Sequence, residues 1–264
     1  MVHYVFLDLS YLVFHRFFAI VSWTKLTKKP IEDVEEFKAR FAKGFEEHLL
    51  KMKKKLGVEF ENMYVARDTS RHLIWRAAHF PAYKKNRDDN KQNFDPSIFA
   101  FAHETMIPEL KAKYGFKTIG VPTAEADDVI AISCKYLKRV DDSCNITVIT
   151  NDNDFVQLTI DPGSVTVMNA SWLDISGRFD NAMLSVYTEW KVIKGDKSDN
   201  IPAIDKKIGD KTALKLATNP ELLAKRLESP VVMAQYRLNK TLISFDSIPA
   251  DLVITIEAEI KKLI

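Results

Sequence analysis

Nine acidic side chains carry the chemistry that can be read directly from this sequence. In "VITNDNDFVQL" (148–158), the apolar pair Val148-Ile149 stops abruptly and Asp152 and Asp154 follow. Asp8 closes "HYVFLD" (3–8), and Asp68 closes "ENMYVARD" (61–68). Glu125, Asp127 and Asp128 sit together in "TAEADDVIA", and "GDKSDN" (195–200) adds Asp196 and Asp199. Taken singly, each has an ordinary role. Asp8 or Asp152 could cap a helix, the three acids at 125–128 could face a helix dipole, and "GDKSDN" could be a polar turn. Taken together they pose an electrostatic problem. Two carboxylates about 4–5 Å apart repel by roughly 4 kcal/mol at an effective dielectric of 20. Oxygen-only ligands suit hard cations, hence Mg²⁺ or Mn²⁺ rather than zinc. Several carboxylates can hold two ions about 3.5–4 Å apart, which clamps the attacking and leaving oxygens of a phosphodiester.

These acids need elements to position them. Apolar runs at 3–8, 61–68, 116–121, 145–152 and 164–170 read as strands. Between them lie helical patterns at 10–21, at 34–56 with Gly57 as the stop, after Asp95-Pro96, and at 123–140 with Thr123 as the cap. Alternation of this kind predicts an α/β fold with a mostly parallel central sheet flanked by helices. Ligands bind beyond the carboxyl ends of such strands, which is where Asp8, Asp68, Asp152 and Asp154 fall. Past about residue 180 the strand signal fades into helices and turns. The expected organisation is an α/β core at 1–180 and a helical region at 181–264.

The positive charge is placed just as unevenly. Setting aside the nine acids turns the formal charge from +2 to +11. Residues 71–91 hold Arg71, Arg76, Lys84, Lys85, Arg87 and Lys91, interleaved with Trp75, Phe80 and Tyr83. Cations read phosphate and aromatic rings stack on unpaired bases; a solvated loop is the plainer alternative. "KMKKKLG" (51–57) is read as lysine favoured at a helix C-terminus. Lys206, Lys207, Lys211 and Lys215 form a second basic group, where Asp210 could cap a short helix and grip phosphate with backbone N–H groups. Cys134 and Cys144 show neither metal-ligand spacing nor a disulfide framework, so two free thiols in an intracellular protein are expected. No apolar stretch approaches the roughly 20 residues of a membrane span.

From "FLDLSYLVFHRFF" through "RDTSRHLIWRAAHFPAYKKNR", "VPTAEADDVIA" and "VITNDNDFVQL" to "GDKSDNIPAI", the chain resembles the 5′-nucleases of the flap endonuclease type. Its pattern is similar to phage 5′-exonucleases and to the N-terminal nuclease of bacterial DNA polymerase I. The resemblance implies two divalent metals held by Asp8, Asp68, Glu125, Asp127, Asp128, Asp152, Asp154, Asp196 and Asp199. It implies a helical arch near 70–95, with Lys84 and Arg87 as catalytic cations at its base and Tyr83 as a stacking aromatic; Arg71, Arg76 and Lys85 would also meet DNA. Around 199–217 it implies a helix–three-turn–helix gripping duplex backbone through Lys206, Lys207, Gly209, Lys211, Thr212 and Lys215, with a K⁺ ion. The chain departs from the family there. "PAIDKKIGDKTA" puts Ala203 and Lys207 where small glycines are usual, and Leu9 stands where the family has Gly. The expected function is Mg²⁺-dependent cleavage near junctions of a 5′ single strand with duplex, on branched or 5′-ended DNA or an RNA/DNA hybrid, by a soluble monomer. A non-catalytic DNA-binding accessory and a PIN-type single-strand RNase remain the alternatives.

Overall fold

A computed structural model of the chain describes residues 1–28, 31, 33–89, 94–161 and 165–264, the side chains of 88 and 89 apart. Five strands, β1 (His3–Asp8), β2 (Met63–Ala66), β3 (Lys117–Ile119), β4 (Asn145–Ile149) and β5 (Val165–Met168), form one sheet in the order β3-β2-β1-β4-β5. Every pairing is parallel. The helices are α1 (Leu9–Thr27), α2 (Val34–Leu56), α3 (Trp75–His79), α4 (Asn86–Asp89), α5 (Pro96–Phe101), α6 (Ile107–Tyr114), α7 (Ala126–Val140), α8 (Asn181–Leu184), α9 (Tyr187–Lys194), α10 (Asp210–Ala217), α11 (Pro220–Leu227), α12 (Pro230–Ile243) and α13 (Ala250–Leu263). A π-helical turn, Ala102–Met106, joins α5 to α6.

Strand side chains alternate between the two sheet faces. Phe6, Tyr64, Ile146 and Val148 pack against α7 and α13. Val5, Leu7, Met63, Val65 and Ile149 pack against α1, α2 and α6. With both faces covered, the central strands β1, β2 and β4 are buried over most of their length, which explains their near-continuous apolar character. Two smaller clusters lie beyond the sheet. Ile74, Tyr83, Val192, Ile201 and Leu242 join the segment after β2 to α9 and α12. Ile193, Ile204, Ala213, Leu216 and Val232 join α9, α10 and α12.

The element boundaries follow local signals, with two corrections. Asp95 accepts from Ser97 N with Pro96 in the first turn, and Gly57 ends α2 in the left-handed region, as expected. The helix expected from Thr123 begins at Ala126 instead. Its cap is Glu125, whose backbone N–H donates to Asp128 in a capping box, while Thr123 has φ 69°. At α10 the cap is Gly209; Asp210 is the first helical residue and pairs with Lys194 at 2.5 Å. Cys134 and Cys144 are free and buried. Among the described residues, no helix is long and apolar enough to cross a membrane.

Candidate active site

The chain builds outward from β1 to β2 and β3, then returns to lay β4 on the other side of β1. Beyond the carboxyl ends of β1 and β4 lies the switch point where parallel sheets hold ligands. Asp8 occupies it. Its Oδ1 caps α1 by accepting from Tyr11 N at 3.0 Å, and its Oδ2 accepts from Thr150 Oγ1 at 2.9 Å. The carboxylate thus spans the ends of both strands. Asp68, after β2, accepts from Ala126 N at 2.8 Å and from Ser10 Oγ, and so ties β2 to α7 and α1. Asp152 accepts from Asp154 N at 2.9 Å and remains exposed. The bland capping roles are therefore real, and they aim the carboxylates at one sheet edge.

Their proximity shows in their acidity. Burial pushes the Asp8 carboxyl up to about 7, and the charges of Asp68 and Asp152 add to the effect. Burial also holds Asp127 well above the carboxylate range, Lys84 pulls the other way, and Asp152, Asp8 and Glu125 oppose its ionisation.

Lys191, on α9, is a residue that sequence reasoning missed. Its ammonium is 2.8 Å from Asp196 Oδ2 and also pairs with Asp154. Burial works against this charge, but the surrounding carboxylates, Asp154 first, outweigh it and hold it well above the lysine range. Asp196 is pulled the other way: burial opposes its charge, yet Lys191 brings it down to about 2. The available signal was a lysine four residues after Tyr187, on the buried side of an amphipathic helix.

A third group surrounds Glu125, and here several expectations are corrected. Arg76 does not face solvent or DNA. It is 3% exposed, pairs with Glu125 Oε2 at 2.8 Å and Asp128 Oδ1 at 2.7 Å, and donates to Leu242 O. Asp128 is fully buried, and its Oδ2 also accepts from Trp75 Nε1 at 2.9 Å. That carboxylate is engaged in an internal ion pair. Tyr83 is no open stacking platform. It is 6% exposed and its hydroxyl donates to Glu125 at 3.1 Å. Lys84, expected as a catalytic cation at the base of an arch, is buried with its Nζ 2.5 Å from Glu125 Oε1 and 3.7 Å from Asp199 Oδ2. Burial disfavours the charge of Glu125, but Lys84 and Arg76 bring its pKa down to about 2.

Asp199 belongs to this group as much as to the acids. It pairs with Arg87, and its backbone O accepts from Lys84 N at 3.0 Å. Asn200 Nδ2 donates to Ala82 O at 2.8 Å, and Asn86 Nδ2 donates to Lys197 O at 2.9 Å. Residues 82–87 are thereby stitched to the "GDKSDN" loop. Gly195 makes that loop possible. Its φ is +74°, and a Cβ there would stand 2.4 Å from Pro202 O and 2.5 Å from Ile201 O.

The remaining basic positions lie at the surface. Arg71, Lys85, Lys206, Lys207, Lys211, Thr212 and Lys215 are exposed, as is Gly209. Lys91 lies outside the described residues. As the side chains stand, no three His, Cys, Asp or Glu groups among the described residues converge closely enough to hold one metal ion. The donor set nonetheless suits a hard cation. It is all carboxylate oxygen, and burial first, with neighbouring carboxylates adding to it, raises the pKa of both Asp8 and Asp127.

A covered, all-parallel sheet with carboxylates gathered at its switch point and buried ammonium groups among them defines an α/β protein with its charged groups at one sheet edge. The model of the 5′-3′ exonuclease N-terminal resolvase-like domain matches residues 3–194, and the chain belongs to that family. DNA polymerase I of Thermus thermophilus is 28% identical over 211 residues, covering 79% of this chain and 23% of the polymerase. The chain therefore spans about a quarter of that relative's length. The 5′-3′ exonuclease of Bacillus subtilis is 30% identical over 161 residues, covering 57% of this chain and 50% of that protein. The same fold is seen in the bacteriophage T5 flap endonuclease, crystallised as a pseudo-enzyme-product complex with DNA and metal ions: TM-score 0.66 at 17% identity, covering 99% and 98% of the two chains.

Proposed function

We propose that this chain is a divalent-metal-dependent, structure-selective 5′-nuclease, acting as a 5′-3′ exonuclease or flap endonuclease in DNA replication or repair. The observation that carries the reading is the convergence at one sheet edge of carboxylates from β1, β2, β4, α7 and the 195–200 loop, bordered by cations held in place. Asp8, Asp68, Asp127, Asp152, Asp154 and Asp196 would hold Mg²⁺ or Mn²⁺, with Glu125 and Asp199 beside them. When bound, such ions supply Lewis acidity and charge neutralisation at a phosphodiester. The chain's own part is electrostatic positioning. Lys84 and Arg87 are fixed by Glu125 and Asp199, so they can meet charge developing on the scissile phosphate without reorganising. Hydrolysis would leave a 5′-phosphate and a 3′-hydroxyl.

The exposed lysines at 206–215 lie on and before α10, where they would grip duplex phosphates without reading sequence. With that assignment, the helical region at 181–264 serves to hold the duplex while the α/β core cuts. The substrate would be branched or 5′-ended DNA, or an RNA/DNA hybrid. The test compares cleavage of a 5′-flap duplex with that of the same strand alone, in Mg²⁺. Cuts at the junction, with the plain strand largely spared, are expected. Equal cleavage of both would favour a single-strand RNase-like activity, and binding without cleavage a non-catalytic accessory.

A further inference from the structure

A cavity of about 490 Å³ opens beside the acids, between the segment after β4 and helix α9. That volume is in the range of small-molecule sites. Its walls are of two kinds. Trp190, Tyr187 and Phe179 form an aromatic side, with ring centroids 5.8 Å apart for Tyr187–Trp190 and 5.0 Å for Phe179–Tyr187. Asp152 and Asp196 also line it, with Lys191 and Lys194, so the cavity borders the proposed reaction centre. The indole is fixed in place. Its Nε1 donates to Asp210 O at 3.2 Å, and Lys194 Nζ lies 4.3 Å from the ring centroid. At the rim, Lys197 is exposed and has no carboxylate partner among the described residues.

We propose that this cavity receives the base of a nucleotide adjacent to the scissile phosphate, placed against Trp190, with that nucleotide's phosphate on Lys197. The inference rests on the nuclease reading for the identity of the strand, and on the cavity itself for the ligand class. Aromatic walls take any base, because every base has a π-face, and the exposed ammonium of Lys197, which unlike Lys191 and Lys194 is engaged with no carboxylate among the described residues, takes the phosphate that follows it. Seating a base here would hold the strand against the acids independently of the duplex grip at α10.

The test has two arms. In the first, the indole N–H resonance of Trp190, assigned with Trp190→Phe, is followed during titration with deoxyadenosine 5′-monophosphate and with 2-deoxyribose 5-phosphate. A saturable shift with the nucleotide, much weaker with the base-free sugar, is expected, and Lys197→Ala should weaken it several-fold. No shift, or equal shifts with both probes, would overturn the proposal. In the second, single abasic sites are walked across the junction of a flap duplex. One position should slow wild-type cleavage by about 10-fold, as for one lost base stack, and have no further effect on Trp190→Ala. Trp190→Phe, which keeps a ring in the packed wall, should retain the sensitivity. Wild-type cleavage indifferent to every abasic site would sink the cavity while sparing the nuclease reading. A nucleotide-specific shift in a protein that cuts no flap would do the reverse.

Discussion

At the scale of the residue, the site is a balance between crowded carboxylates and a few buried cations. Asp8 gives the clearest consequence. Its folded-state pKa of about 7 lies above the ordinary 3.8, so the folded state holds that proton longer than the unfolded chain does. Stability from this group is therefore greatest below pH 4, falls as pH rises from about 4 to 7, and stays low above. The full difference is on the order of 4 kcal/mol. In chelator, Asp8→Asn should match the wild type in stability near pH 4 and exceed it by a few kcal/mol above pH 7, as read from denaturant curves at each pH. An identical pH dependence in both proteins would contradict the account. Lys84→Ala should slow single-turnover cleavage by roughly 10²-fold or more, the scale of one preorganised stabiliser. Because Lys84 is buried against Glu125, the variant should also lose about 3 kcal/mol of stability. The placement of Asp8, Asp68 and Asp152 at or just past strand ends was legible in the sequence, because an apolar run that stops at a carboxylate marks such an end. The internal roles of Arg76, Asp128, Tyr83 and Lys191 were not. Those roles depend largely on distant partners, Glu125 and Asp128 for Arg76, Asp199 for Tyr83 and Asp154 for Lys191, 37 to 116 positions away, which no local pattern encodes.

At the scale of the element, the 195–200 loop governs the site from outside it. It supplies Asp196 to Lys191 and pins residues 82–87 through Asp199 and Asn200. Gly195→Ala would have to push a Cβ between two carbonyl oxygens in a positive-φ conformation. A loss of about 2 kcal/mol or more is expected, with cleavage impaired beyond what the loss of folded protein explains. A wild-type denaturation midpoint would show that the loop tolerates the change. The exposed α10 offers the contrasting case. Lys211→Ala should leave stability unaltered, weaken duplex binding equally across sequences, and reduce the salt slope by about one in a titration at several ionic strengths. An unchanged slope would remove α10 from the binding surface. Helices and strands were readable from periodicity, with Gly57 and Asp95-Pro96 marking true ends. The start of α7 was misjudged because "EADD" serves twice: Asp128, the third helical residue, completes a capping box with Glu125, so the helix starts later than Thr123 suggests.

At the scale of the molecule, strand order turns scattered acids into a site. The order β3-β2-β1-β4-β5 sets β1 beside both β2 and β4, so residues 8, 68 and 152 come to the same sheet edge despite their separation in sequence. Alternation of strands and helices implied a parallel sheet but not this order, which rests on pairings between segments far apart in the chain, β1 with β4 among them. The central claim is that the assembled edge holds divalent metal, and the most direct measurement is calorimetric titration of Mn²⁺ into the folded protein at pH 7.5, with Asp8→Asn alongside. Two ions should bind the wild type, and its melting temperature should rise with metal, by the equivalent of about 2.7 kcal/mol at a hundredfold excess over the dissociation constant. Asp8→Asn should lose at least one of these ions. Absence of binding in the wild type, or an Asp8→Asn isotherm indistinguishable from it, would contradict the account.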